Sequence, residues 1–273
     1  MQIAASAARP APLRGIAEPA VQLRGVGKVF NDFRALEGID LDFPRGELTT
    51  LLGPSGCGKT TTLKIIAGLL EASEGEVLVN GRPVSGPGPE RAFVFQDFAL
   101  LPWANVLRNV AFGLELRGMP REEREQIART QIVEVGLAGA EHKYPHELSG
   151  GMRQRVGLAR ALAVNAEILL MDEPFASVDE QNRRKFQEDL LRLLAHENKT
   201  VIFVTHSIEE AVYISDQVAV LTRNPGRLSR VVRREIDRSG DFDELRRTPA
   251  YLDSVDEIWR ELKGYLDSES AAS

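Results

Sequence analysis

With 273 residues, 43% of them hydrophobic and 27% charged, the chain has room for one large α/β domain and a small lobe in an ordinary globular balance. A net charge of -6 argues against a nucleic-acid binder that relies on a general basic surface, and against membrane attachment by charge alone. Cys57 is the only cysteine, so no intramolecular disulfide and no cysteine metal cluster can form, and the cytosol is the compartment that fits. No apolar run approaches the roughly 18 residues of a membrane span, so if the protein works at a membrane another chain supplies the spans.

Residues 1–20 are rich in Ala, Pro and Arg, without periodicity or an apolar signal core, and read as a mostly disordered lead. Residues 21–29 and 35–43 read as two antiparallel strands with Phe30 between them. An aromatic ring shortly before a phosphate loop can stack on adenine, and Phe30 reads either that way or as core. The central signal follows: Gly53-Pro54-Ser55-Gly56-Cys57-Gly58-Lys59-Thr60-Thr61 fits G-x-x-x-x-G-K-[ST]. A short apolar run, Leu48-Thr49-Thr50-Leu51-Leu52, leads in, and Leu63, Ile66, Ala67 and Leu70 follow at helical spacing. Consecutive glycines expose backbone N–H groups to phosphate oxygens, and the helix N-terminus adds partial positive charge. Lys59 would bridge the β- and γ-phosphates, and the Thr60 hydroxyl would sit on Mg²⁺.

Further strands are expected at 75–80 and 92–95, beside the turn signals Asn80-Gly81 and Pro87-Gly88-Pro89. Gln96 ends the run Ala92-Phe93-Val94-Phe95, Asp172-Glu173 end Ile168-Leu169-Leu170-Met171, and His206 ends Val201-Ile202-Phe203-Val204-Thr205. In an open parallel sheet ligands bind outside the carboxyl ends of strands, so these groups are expected to share one edge with the phosphate loop. There Asp172 would hold Mg²⁺ through water, and Glu173 would accept a proton from the water attacking the γ-phosphate. Gln96 would touch both Mg²⁺ and that water, and His206 would bond the γ-phosphate and orient the base.

From 97 to 146 helical patterns replace strands, including 106–116 and 121–135, which marks a helical lobe inserted into the sheet domain. It ends in Leu148-Ser149-Gly150-Gly151-Met152 and an Ala- and Leu-rich helix. Ser149 is a good N-cap and Gly150 and Gly151 leave the first N–H groups open, so this is either a plain helix start or a second anion site whose phosphate comes from another subunit. The tail from 239 to 273 holds nine acidic against four basic side chains and so carries -5 of the net charge. Pro249 can start a helix there, with Leu252, Val255, Trp259, Leu262 and Leu266 on one stripe, packed on the domain or docking a partner.

The phosphate loop, Gln96, Leu148 to Met152, Leu170-Met171-Asp172-Glu173-Pro174, Asp179 and His206, in that order, resemble the ATPase subunit of an ATP-binding-cassette (ABC) transporter over about residues 20–235. The resemblance implies a P-loop NTPase fold of the ABC-ATPase type: a RecA-like mixed sheet core, an antiparallel β subdomain and an inserted helical subdomain at about 97–160, within a domain at 21–238. It implies binding of ATP and Mg²⁺, and a head-to-tail homodimer in which Ser149, Gly150 and Gly151 of one subunit close over the ATP held by Lys59 of the other, with Asp179 also at the nucleotide. Two membrane permease subunits would dock near residues 98–109, where Trp103 reads as an anchor or as lobe core, and a solute-binding protein would act indirectly. Leu100-Leu101-Pro102-Trp103 and Arg223-Asn224-Pro225-Gly226-Arg227 resemble importers of nitrate, sulfonate and taurine, although Asn224 departs from their usual Arg-Pro-Gly-Arg. The implied location is the cytoplasmic face of the inner membrane, peripheral, with no nucleic-acid partner. Two rivals are a cassette ATPase acting on DNA or ribosomes and a nucleotide-gated module that does not hydrolyse; the lack of a basic arm speaks against the first, and Glu173 with His206 against the second.

Overall fold

A computed structural model of the chain describes residues 19–176, 180–195, 197–233 and 242–272. In chain order the elements are β1 (Val21–Phe30), β2 (Phe33–Phe43), β3 (Leu48–Leu52), α1 (Lys59–Ile66), β4 (Glu74–Val79), β5 (Arg82–Pro83) and β6 (Arg91–Val94). Three helices follow, α2 (Val106–Leu116), α3 (Arg121–Glu134) and α4 (Gly150–Ala163). The chain then alternates β7 (Ile168–Asp172), α5 (Glu180–Ala195), β8 (Thr200–Thr205), α6 (Ile208–Ile214) and β9 (Gln217–Leu221), and ends in β10 (Leu228–Arg233), α7 (Phe242–Leu245) and α8 (Pro249–Ala272).

Two sheets organise these elements, an antiparallel one in the order β2-β1-β4-β5 and a larger one in the order β10-β9-β3-β8-β7-β6. The β1–β2 hairpin turns at Asn31-Asp32, where Asn31 takes φ 50°, a left-handed conformation that asparagine tolerates. Phe30 closes β1 rather than standing between strands, and it is 42% exposed, so it is not a core residue. In the larger sheet β3, β6, β7, β8 and β9 run parallel, and only β10 is antiparallel to its neighbour β9. Strands β3, β7 and β8 are buried along their whole length, as both-faced covering of a parallel sheet requires. Side chains therefore alternate between two cores: Leu52, Leu169 and Met171 join the core beneath α2 and α4, and Leu51, Ile168 and Leu170 join the one beneath α1 and the β1–β2 hairpin.

The register sets the functional edge. Leu52 pairs with Thr205, Asp172 with Val204, and Val94 with Met171, so β3, β8, β7 and β6 end almost level.

The stripe expected on the last helix is corrected. Tyr251 and Ile258 of α8 are buried, with Val255 and Leu262 packed beside them, whereas Leu252 and Trp259 are 53% and 52% exposed; the Leu266 side chain lies outside those described. Both stripes share Val255 and Leu262, and they differ by a rotation of about 100°, one residue along the helix. Packing against α6, β9 and β10 selects the Tyr251 side, where the tyrosine hydroxyl donates to the Glu209 carbonyl at 3.4 Å and Phe242 stacks edge-on against the ring. Among the described residues no helix is long and apolar enough to cross a membrane.

Candidate nucleotide site

The loop from Gly53 to Thr61 joins β3 to α1, and its backbone is shaped for glycine. Gly56 and Gly58 take φ +82° and +91°, and a Cβ on Gly53 would lie 2.4 Å from the Leu221 carbonyl oxygen. A Cβ on Gly58 would lie 2.3 Å from Leu36 of β2. Gly58 caps α1 and has no side chain to occupy the first-turn N–H groups, which leaves that helix end suited to an anion. Lys59 is buried, and its Nζ donates to the carbonyls of Gly53 at 2.7 Å and Pro54 at 3.1 Å, folding the ammonium back over the loop. Cys57 is fully buried within the same turn, 3.8 Å from that ammonium.

Thr60 and Asp172 meet although 112 residues apart: the Thr60 hydroxyl donates to Asp172 Oδ1 at 2.8 Å. Burial pushes the Asp172 carboxyl above the usual carboxylate range, while the Thr60 hydrogen bond opposes that shift. Glu173 follows at φ +42°, a strained position for a residue with a side chain, held by its N–H donating to the Val204 carbonyl at 3.1 Å. Its Oε2 lies 3.2 Å from His206 Nδ1, so β7 and β8 each deliver one member of a carboxylate–imidazole pair. The imidazole is largely exposed and the carboxylate mostly covered.

Of the residues expected at this edge, the loop, Asp172, Glu173 and His206 are brought together. Gln96 stands exposed just beyond β6, at the same edge, with no hydrogen bond to Asp172, Glu173 or His206. Ser149 caps α4, accepting from the Met152 N–H at 3.3 Å, and Gly150 and Gly151 open that helix. No hydrogen bond joins them to the loop, and α4 packs instead on α2, α3 and β6. The Phe30 ring carries the Lys28 ammonium 5.1 Å from its centroid. Trp103 is 71% exposed, which removes the lobe-core reading. Asp179 lies outside the described residues. Sequence reasoning missed Arg160 of α4, whose guanidinium donates 2.7 Å bonds to the Phe98 and Ala99 carbonyls and so fixes the segment after Gln96. It also missed Glu210. Ser207 and Glu210 have the spacing of a capping box, the one available signal, but the glutamate turns away from the cap to Thr205.

Thr60 and Asp172 fit a Mg²⁺ ion: both offer hard oxygen donors, they converge to hydrogen-bond distance, and an ion bound mainly through phosphates needs few protein ligands.

The fold and this edge define a phosphate-loop α/β nucleotide-binding protein. The sequence profile described as ABC transporter matches residues 36–176. The chain is 51% identical over 225 residues to an uncharacterised ABC transporter ATP-binding protein, MJ0412, of Methanocaldococcus jannaschii, covering 81% of this chain and 84% of that one. It is 49% identical to the taurine import ATP-binding protein TauB of Chromobacterium violaceum over 75% of this chain and 78% of TauB. A dimeric post-hydrolysis structure of the ATP-binding cassette MJ0796, bound to ADP and Pi, superposes with a TM-score of 0.70 at 32% identity, covering 78% of this chain and 98% of that one. The chain belongs to the ABC transporter family, as an ATP-binding subunit with ATPase activity.

Proposed function

We propose that the chain is the motor of an importer for a small solute such as taurine, another sulfonate or nitrate. The observation that carries the chemistry is the pair Glu173–His206 set beside the pair Thr60–Asp172 at one sheet edge. The similarity to TauB supports the importer and its solute class.

Lys59 and the backbone of Gly53, Pro54, Ser55, Gly56, Cys57, Gly58 and Thr61 cradle the phosphates, and Phe30, exposed at the end of β1, offers its face to adenine. Thr60, Asp172 and Gln96 would hold Mg²⁺, which supplies neutralisation of the charge on the transferring phosphoryl group. Glu173 accepts the proton of the attacking water as the water oxygen bonds to the γ-phosphorus and the bond to the bridging oxygen breaks, leaving ADP and phosphate. His206 holds the Glu173 carboxylate in place and reaches the γ-phosphate.

Two copies pair head to tail, with Ser149, Gly150 and Gly151 of each meeting the nucleotide of the other and Asp179 also at the nucleotide. ATP favours the closed pair because it binds that state best. Residues 98–109 receive the two membrane permease subunits, with exposed Trp103 as an anchor, and a solute-binding protein delivers the cargo. The working location is the cytoplasmic face of the inner membrane. The ATPase domain spans 21–238, with its helical part at about 97–160, and an acidic tail at 239–273 follows, its helix α8 packing on the domain through α6, β9 and β10.

Tagged Glu173→Gln protein, isolated from its native host in mild detergent with ATP, tests both halves of the proposal. Turnover is expected to fall at least about a hundredfold, the scale of a lost general base, and a polytopic membrane protein is expected to copurify. Recovery of ribosomes or DNA without a membrane chain would overturn the importer; unchanged turnover would overturn the role of Glu173.

A further inference from the structure

Helix α5 reaches the segments on either side of the Glu173–His206 pair. Two residues past Glu173, Phe175 is buried and packs edge-on against Phe186 of α5, ring centroids 5.4 Å apart. On the other side Glu210 of α6, whose side chain is only 12% exposed, joins α5 to the strand that carries His206. Its Oε2 accepts the Thr205 hydroxyl at 2.5 Å, and its Oε1 accepts from Gln187 Nε2 at 3.3 Å and lies 3.8 Å from Arg183 Nε. The Thr205 oxygen in turn accepts the Ser207 N–H at 3.0 Å, so the residues on both sides of His206 are tied to one carboxylate. Arg155 of α4 stacks on Phe186 at 4.9 Å and pairs with Asp189 at 2.9 Å, which joins the Ser149 helix to the same bracket.

We infer that Glu210 is a positioning residue: held by Gln187 and Arg183 of α5, it grips Thr205 and fixes where His206 meets Glu173, so that α5 braces the catalytic pair. The inference rests on the proposed roles of Glu173 and His206. A buried carboxylate that accepts two hydrogen bonds and pairs with a guanidinium holds its neighbours in one arrangement, whereas a solvated one would not. The role is one of geometry: among the described residues no hydrogen bond or ion pair links Glu210 to the phosphate loop or to Glu173.

The test uses the full chain with Mg-ATP. Thr205→Val keeps the shape and deletes the hydroxyl; Thr205→Ser keeps the hydroxyl. Thr205→Val and Glu210→Ala are each expected to lower kcat about tenfold with KM for ATP within about twofold in protein that still unfolds cooperatively, while Thr205→Ser stays near wild type. The double variant Thr205→Val with Glu210→Ala is expected to fall no further than either single one, because both cut the same link. Glu210→Ala leaves Arg183 beside an empty site; if it fails to fold, the two threonine variants carry the test alone. A kcat within twofold of wild type in Thr205→Val, or a loss that Thr205→Ser shares, overturns the inference. Glu173→Gln run in parallel separates the two levels: if it abolishes turnover while Thr205→Val does not reduce it, only the positioning role fails, and if it keeps full turnover, the pair and the inference fail together.

Discussion

Cys57 puts a titratable reporter inside the phosphate loop. Burial pushes its thiol above the ordinary cysteine range, and the neighbouring Lys59 ammonium only partly offsets this. The folded protein thus holds the proton more tightly than the unfolded chain. Stability contributed by this group is present below the unfolded thiol's pKa and is lost as pH rises from there through the folded value. Wild type should therefore lose stability relative to Cys57→Ala between about pH 8 and pH 10, in urea titrations at each pH. A flat difference across that range would contradict the tighter hold on the proton. Alkylation of the native thiol by a neutral maleimide should be slow at neutral pH, faster as pH rises, and slowed further by ATP. At this scale the loop and the acids at the strand ends were legible, because each is a local pattern: a motif, or a polar residue closing an apolar run. Glu210 was not, because its meaning lies in Thr205, Gln187 and Arg183, and the last two reach it from another helix.

Helix α8 separates pattern from packing at the level of an element. Its existence and its start at Pro249 follow from sequence, but two stripes one residue apart fit the periodicity, and contact with α6, β9 and β10 selects the one bearing Tyr251 and Ile258. Ile258→Ala should cost about 2–5 kcal/mol in urea unfolding, the range for truncating a buried isoleucine. Trp259→Ala, one position along and half exposed, should stay within about 0.5 kcal/mol. The reverse order would restore the sequence stripe. Strands β3, β7 and β8 were easier to read, since a parallel strand covered on both faces is apolar nearly throughout, whereas β9 and β10 at the far side of the same sheet were not read.

In the proposed head-to-tail pair the nucleotide site of the whole molecule is divided. The loop, Asp172, Glu173 and His206 gather at a single edge, yet Ser149 and the open glycines of α4 have no hydrogen bond to it within the chain. The sequence carried half of this, a helix start suited to an anion, while in the proposed pairing the owner of that anion is a second copy. Head-to-tail pairing makes a prediction that independent sites do not. Lys59→Ala breaks the loop of its own subunit, and Ser149→Arg blocks the helix start that its partner needs, so each variant alone should be inactive. Mixed before ATP is added, they form heterodimers in which one composite site has both its residues broken and the other keeps an intact Lys59 and an intact Ser149. With random exchange half the dimers carry one good site of two, so ATPase activity should recover to roughly a quarter of wild type, the share a two-fold pairing allows. A mixture no more active than its components would mean that Ser149 serves its own subunit's nucleotide or none.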